Sequence, residues 1–136
     1  TRFLTERRYG CFAFDKDPVH ELSLCDIINF DLSKKQALIG RADVVLCLEV
    51  GEHIEPEFEQ VVIDNICRAA KSKIILSWAI PGQGGFGHVN CQPNEYIIAE
   101  IERRGWQFNS EQSNHLRNHC SGCSWFENTI MVFDKV

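Results

Sequence analysis

The 136 residues carry 14 Lys and Arg against 19 Asp and Glu, a net charge of −5, with 44% hydrophobic and 24% charged residues. That length holds one core and that composition is globular, which excludes a disordered or fibrous chain and a second domain. Scattered basic residues under an acidic balance exclude a broad nucleic-acid surface, and apolar runs such as Ile74 to Ile80 are too short to cross a bilayer as a helix.

Taken in chain order, Cys11 to Phe14 is the first apolar run bounded by turn residues, and it ends at Asp15. Asp26 to Phe30 (DIINF) is a weaker strand followed by Asp31. Asp43 to Glu49, inside ADVVLCLEVGEHI, is a third strand and reads as central and buried on both faces. After it, PEFEQVVIDNICRAAK has Pro56 in its first turn, acids early, and Phe58, Val61, Val62, Ile66 and Ala69 on one side, which predicts an amphipathic helix. Lys73 to Ile80 is the next buried strand. Pro93 to Arg104 is a second helix, with Ile97, Ile98 and Ile101 on one side and Gly105 as its stop. Glu127 to Phe133 (ENTIMVF) is β-branched and forms the terminal strand. Strands alternating with helices imply crossover connections, a mostly parallel sheet and helices on both faces.

Ligands of such open sheets sit beyond the carboxyl ends of the strands, and the chemistry-bearing residues lie there. Asp15 stands where nucleotide-binding α/β proteins hold ribose hydroxyls, although an acid there also caps a turn. Glu49, Glu52 and His53 follow the third strand. The loop Pro81 to Asn90 (PGQGGFGHVN) holds four glycines but lacks the Lys-Ser/Thr ending of a P-loop, so it presents Gln83, His88 and Asn90 as hydrogen-bonding groups instead of cradling a triphosphate. Trp78 is placed to wall an acceptor or to fill the core. In NHLRNHCSGC, His115 and His119 lie one helical turn apart and Cys120 and Cys123 form a C-x-x-C. Pairs so nearly contiguous close a tetrahedral zinc site awkwardly, and a polar helix end before a turn is the plainer reading. Seven cysteines, an odd number spread over strands, helix and loops, fit a reduced cytoplasmic chain better than a disulfide framework.

The succession FAFDKDP, NFDLS, ADVVLCLEVGEHI, IILSWAIPGQGGFGHVN, NEYI and WFENTIMVF resembles class I S-adenosylmethionine-dependent methyltransferases, in the branch with E-x-x-E-H after the fourth strand. The resemblance implies a Rossmann-like α/β sheet flanked by helices with an antiparallel C-terminal strand, in one domain over residues 1 to 136. It implies S-adenosylmethionine as cofactor, with Asp15 on its ribose, Asp31 and Leu32 bordering its adenine, and Leu48 and Glu49 beside its methionine portion. Methyl transfer to a small-molecule or other polar acceptor then needs alignment and a base. His53 and His88 are the candidate bases, with Glu49 or Glu52 as an alternative base or an orienting partner, and Trp78, Gln83, His88 and Asn90 as acceptor-binding residues. The sulfonium itself calls for no metal.

One departure from the family pattern is the absence of its acidic-Gly-x-Gly-x-Gly loop and the strand before it. Residues 1–8 (TRFLTERR) read as the end of the helix that follows that loop. Three outcomes follow: the chain is N-terminally incomplete relative to the family, the neighbouring strands close the gap, or a partner chain or dimer supplies a strand; a catalytically inactive binding or scaffold module is the alternative function.

Overall fold

A computed structural model describes residues 10–16, 27–35, 41–120 and 122–136; the expected helix end at residues 1–8 lies outside them. The chain divides into two compact units, Thr1–Leu32 and Ser33–Val136. In the first, β1 (Ala13–Asp15) and β2 (Ile27–Asn29) pair in parallel, Ala13 opposite Ile27 and Asp15 opposite Asn29. The Phe30 amide donates to the Asp15 carbonyl at 2.8 Å, and the Phe14 and Phe30 rings meet edge to face with centroids 5.7 Å apart.

The second unit holds a four-stranded sheet of β3 (Ala42–Cys47), β4 (Ala70–Leu76), β5 (Trp106–Phe108) and β6 (Met131–Lys135), ordered β3-β4-β6-β5. β3 and β4 are parallel, and β6 runs antiparallel to both β4 and β5. Three strands therefore share one direction and only the C-terminal strand opposes them, as the sequence predicts.

Pro56 opens a 3₁₀ turn, Pro56–Phe58, where its fixed φ and missing N–H fit a first helical position. The helix α1 (Glu59–Ala69) follows and buries Val62, Ile63, Ile66 and Cys67. This buried stripe is rotated from the expected one: Ile63 replaces Phe58 and Val61 as an inward residue. Each such aliphatic side chain contributes on the order of 1.5–3 kcal/mol through burial. The second helix, α2 (Asn94–Glu102), packs Ile97 and Ile101 inward while Ile98 is half-buried. It ends where Gly105 takes φ +79°, a left-handed conformation that an L side chain resists. From β6, Met131, Val132 and Phe133 complete the core with Ile74 and Leu76 of β4 and Trp106 of β5.

Several expectations are corrected. Among the described residues β3 pairs with β4 alone, and the face that bears Val44 and Leu46 is exposed at 49% and 60%; a continuous apolar run looks the same whether one or both of its faces are covered. The β3 strand stops at Cys47 and β4 at Leu76, short of the predicted Glu49 and Ile80. Residues 126–129 form a short helix, α4 (Phe126–Thr129), so the terminal strand begins only at Met131. Helix α3 (Ser110–His119) is capped by Asn109, whose side chain accepts the Gln112 amide at 2.9 Å, and it buries Ser113 alone. Asn109 also donates to Asp134, which pairs with Lys73 across the sheet. Among the described residues no helix is long and apolar enough to cross a membrane.

Candidate functional site

The candidate site forms at the carboxyl end of β3. The chain leaves that strand at Leu48, and Glu49 adopts φ 53°, the one positive φ among described non-glycine residues. A left-handed non-glycine residue is strained by about 1 kcal/mol or more and must be held by its surroundings. Ser77, at the end of β4, holds it. Its hydroxyl accepts the Glu49 amide at 2.7 Å and donates to Glu49 Oε1 at 2.8 Å, while its own amide reaches the Cys47 carbonyl at 3.1 Å. The reversal brings the 3₁₀ turn Gly51–His53 directly over the core.

Gly51 is required there by contact. A Cβ built on it would lie 2.3 Å from Cζ3 of Trp78 and 2.4 Å from two further ring atoms. Trp78 is wholly buried beneath this turn, and its Nε1 donates to the Asn90 carbonyl at 2.6 Å. The glycine-rich loop is thereby fastened to the turn. Further ties come from the amides of Val89 and Asn90, which both donate to the Glu52 carbonyl at 2.8 and 3.0 Å. Asn90 is buried, and its side-chain amide donates at 3.0 Å to Glu59. Glu59 also accepts from Gln92 at 2.9 Å and from the Tyr96 hydroxyl at 2.5 Å. That carboxylate is a satisfied structural anchor for the far end of the loop. Its hydrogen bond, with burial, pushes the Tyr96 hydroxyl up to about 12.

These ties bring His88 against His53, with ring centroids 5.0 Å apart and planes at 75°. His53 is exposed and His88 half-buried. The Nδ1 of His53 lies 3.1 Å from the Gly87 carbonyl, and that of His88 lies 3.3 Å from the Gln83 carbonyl and 3.8 Å from Cys91 Sγ. Gly85 allows the backbone to pass under the His88 ring, since a Cβ there would fall 2.2 Å from Nε2. Phe86, at the loop tip, is fully exposed.

Glu52 completes the group. Its side chain is 0% exposed and neither carboxylate oxygen has a hydrogen-bond partner among the described residues. Burial pushes its carboxyl above the ordinary range and Glu49 adds to the shift, while its own backbone amide, His53 and His88 oppose it. Burial and the nearby Glu52 likewise push the Cys47 thiol up to about 12.

The sequence-predicted residues separate as follows. His53 and His88 come together with Glu52, Glu49 is held by Ser77 close enough to Glu52 to raise its carboxyl, and Leu48 is half-buried beside them in the chain. Gln83 contributes its backbone carbonyl to His88, whereas Trp78 and Asn90 lie beneath the surface. Asp15, at the end of β1, is exposed, and Asp31 and Leu32 are half-buried; all three belong to the first unit. Sequence reasoning missed Ser77 and Glu59, although Ser77 is the lone polar residue within IILSWAI. Among the described residues, His115, His119, Cys120 and Cys123 do not gather their donor atoms at one point. The two histidine rings do lie near one another, 4.4 Å apart.

No protein-family model matches the sequence, and no curated protein sequence is detectably similar to it. Solved structures are similar. Magnesium protoporphyrin IX methyltransferase ChlM from Synechocystis PCC 6803, with bound S-adenosylhomocysteine, aligns at 18% identity and TM-score 0.58 over 81% of this chain and 51% of its own. The N-methyltransferase NodS from Bradyrhizobium japonicum WM9, in complex with S-adenosyl-L-homocysteine, aligns at 15% identity and TM-score 0.64 over 91% and 65%. A structure described as a pericyclic reaction enzyme aligns at 12% identity and TM-score 0.59 over 99% and 39%. The chain thus has the fold of class I methyltransferases, a Rossmann-like mixed sheet flanked by helices, and spans less than two thirds of each of these relatives.

Proposed function

We propose that the chain is part of an S-adenosylmethionine-dependent methyltransferase acting on a small-molecule or other polar acceptor, with Thr1–Val136 as one domain of it. The observation that carries this reading is the gathering of Glu49, Glu52, His53 and His88 at the carboxyl end of β3, in a fold whose solved relatives include methyltransferases with bound S-adenosylhomocysteine. In this reading Asp15 binds the ribose, Asp31 and Leu32 border the adenine, and Leu48 and Glu49 flank the methionine portion. His53 or His88 removes the acceptor proton, with Glu49 as the alternative base. A direct displacement at carbon asks little more of side chains than alignment and that proton transfer. Gln83 contacts the acceptor, while Trp78 and Asn90 support the site from beneath. A cytoplasmic setting suits the described cysteines, all of which are free thiols.

Titration calorimetry with S-adenosylhomocysteine tests the reading. Saturable heat, abolished by Asp15→Ala and reduced by Glu49→Ala, supports it. No detectable heat at millimolar ligand refutes it for this chain. The remaining reading would then be a binding or scaffold module, favoured by the exposed apolar face of β3 at Val44 and Leu46.

A further inference from the structure

We propose that Glu52, His53 and His88 form a binding site for one divalent first-row transition ion of the Zn²⁺, Co²⁺ or Fe²⁺ kind. One donor atom from each residue lies within 4.8 Å of the other two. A bound ion would draw such donors to about 3.4 Å from each other, for ligand distances of about 2.0–2.2 Å. Because the His53 side chain is exposed, its rotation meets little steric resistance in closing that difference.

Two independent features point to a cation. The first is the Glu52 carboxylate, which is wholly buried, has no hydrogen-bond partner on either oxygen among the described residues, and faces two imidazoles. An ionised carboxylate in that position is strongly unfavourable unless a cation or a set of donors meets it. The second is the arrangement of the histidines. Both place Nδ1 against a backbone carbonyl, Gly87 for His53 and Gln83 for His88. Carrying the proton on Nδ1 leaves each Nε2 a lone pair, which is how a backbone carbonyl orients a metal-binding imidazole; the Nε2 of His88 lies beside Gly85, where any side chain would collide with it. The ties from Val89 and Asn90 to the Glu52 carbonyl hold the loop, and so His88, over the turn before any ion arrives.

Donor chemistry selects the ion. Two imidazoles with one carboxylate suit borderline transition ions, whereas calcium and magnesium favour oxygen-only sets. Three protein donors leave further coordination positions for water or a ligand atom. The three residues meet without any S-adenosyl group, so the assignment can be tested apart from methyl transfer; with an ion bound both imidazoles are ligands, and the base of the methyltransferase reading is then Glu49.

The test uses the full chain, stripped with a chelator, desalted, and titrated with Co²⁺ or Zn²⁺ in the absence of any S-adenosyl compound. One equivalent of Co²⁺ per chain is expected, with visible d–d absorption, no thiolate charge-transfer band, and a higher Tm on adding Zn²⁺. His53→Ala, His88→Ala and Glu52→Gln should each weaken binding by more than the roughly 10–100-fold typical of a lost second-shell partner. The His115→Ala, His119→Ala double variant should bind as the parent does. His53 is exposed, so its variant keeps the comparison open should Glu52→Gln fail to fold. No uptake at millimolar Co²⁺, full uptake by the His53→Ala, His88→Ala double variant, or a thiolate band implicating Cys120 and Cys123 would each overturn the proposal. Failure here leaves the methyltransferase reading intact, and a silent S-adenosylhomocysteine titration leaves the metal site intact.

Discussion

Replacing Gly51 by Ala sets a methyl group 2.3–2.4 Å from three ring atoms of Trp78, where ordinary carbon contacts are about 3.5–4.0 Å. The indole cannot step aside, because it is wholly buried and its Nε1 is bonded to the Asn90 carbonyl. Two effects compete. Alanine narrows the unfolded ensemble, which stabilises by about 0.4–1 kcal/mol, whereas overpacking costs about 1–3 kcal/mol. With more than an ångström of overlap at three atoms the upper end of that range applies, and the net loss is about 2 kcal/mol. For a chain of 136 residues that corresponds to a fall in Tm on the order of 6–8 °C. Urea unfolding with an unchanged m-value measures it. Repeating the substitution in a Trp78→Leu background removes the obstructing ring, so the cost of the alanine should fall below about 0.5 kcal/mol. Equal losses in both backgrounds, or a loss under 0.5 kcal/mol in the parent, would refute the account of how the turn sits on the core.

The fold also sets an acid limb and a pattern of thiol reactivity. The Asn109 amide and the Lys73 ammonium hold the Asp134 carboxyl below its ordinary value. Its contribution to stability is therefore present above the unfolded value, about 3.9, and is lost as pH falls through the lower folded value. Asp134→Asn should flatten stability in that acid window and leave its slope near pH 7 unchanged; an unaltered acid limb would count against the pairing. Burial pushes the Cys47 and Cys67 thiols up to about 12, so peptide mapping after iodoacetamide should find both unmodified in the folded chain and labelled above the urea midpoint. Labelling of Cys47 in the folded state at the rate of Cys123 would contradict its burial.

Much of the fold was legible because the signals were local. Apolar runs located β3, β4 and β6, Pro56 and Gly105 marked a helix start and a helix stop, and the 3.6-residue spacing of isoleucines found α2. What escaped was decided by partners distant in sequence. Nothing within ADVVLC tells whether one face or both will be covered, so the exposure of Val44 and Leu46 could not be read from the run itself. Helix α3 buries Ser113 alone and so lacks a hydrophobic stripe, and β5 is only three residues long. At the site, sequence order placed Glu49, Glu52 and His53 after a strand correctly. It could not show that His88 would fold back onto them, nor that Trp78 would be covered by Gly51. It also gave no sign that of two neighbouring acids one, Glu49, would be pinned by Ser77 while the other, Glu52, would be buried with no partner among the described residues.

Glu52 divides two tasks between two parts of one residue. Its main-chain oxygen receives Val89 and Asn90, and every amino acid would offer that oxygen. Its carboxylate alone faces the imidazoles. These main-chain hydrogen bonds are thus indifferent to the identity of the side chain. A replacement of like volume, such as Glu52→Gln, therefore changes what faces the imidazoles while the two main-chain hydrogen bonds to the loop persist, whereas a larger or smaller side chain disturbs the packing of this fully buried position.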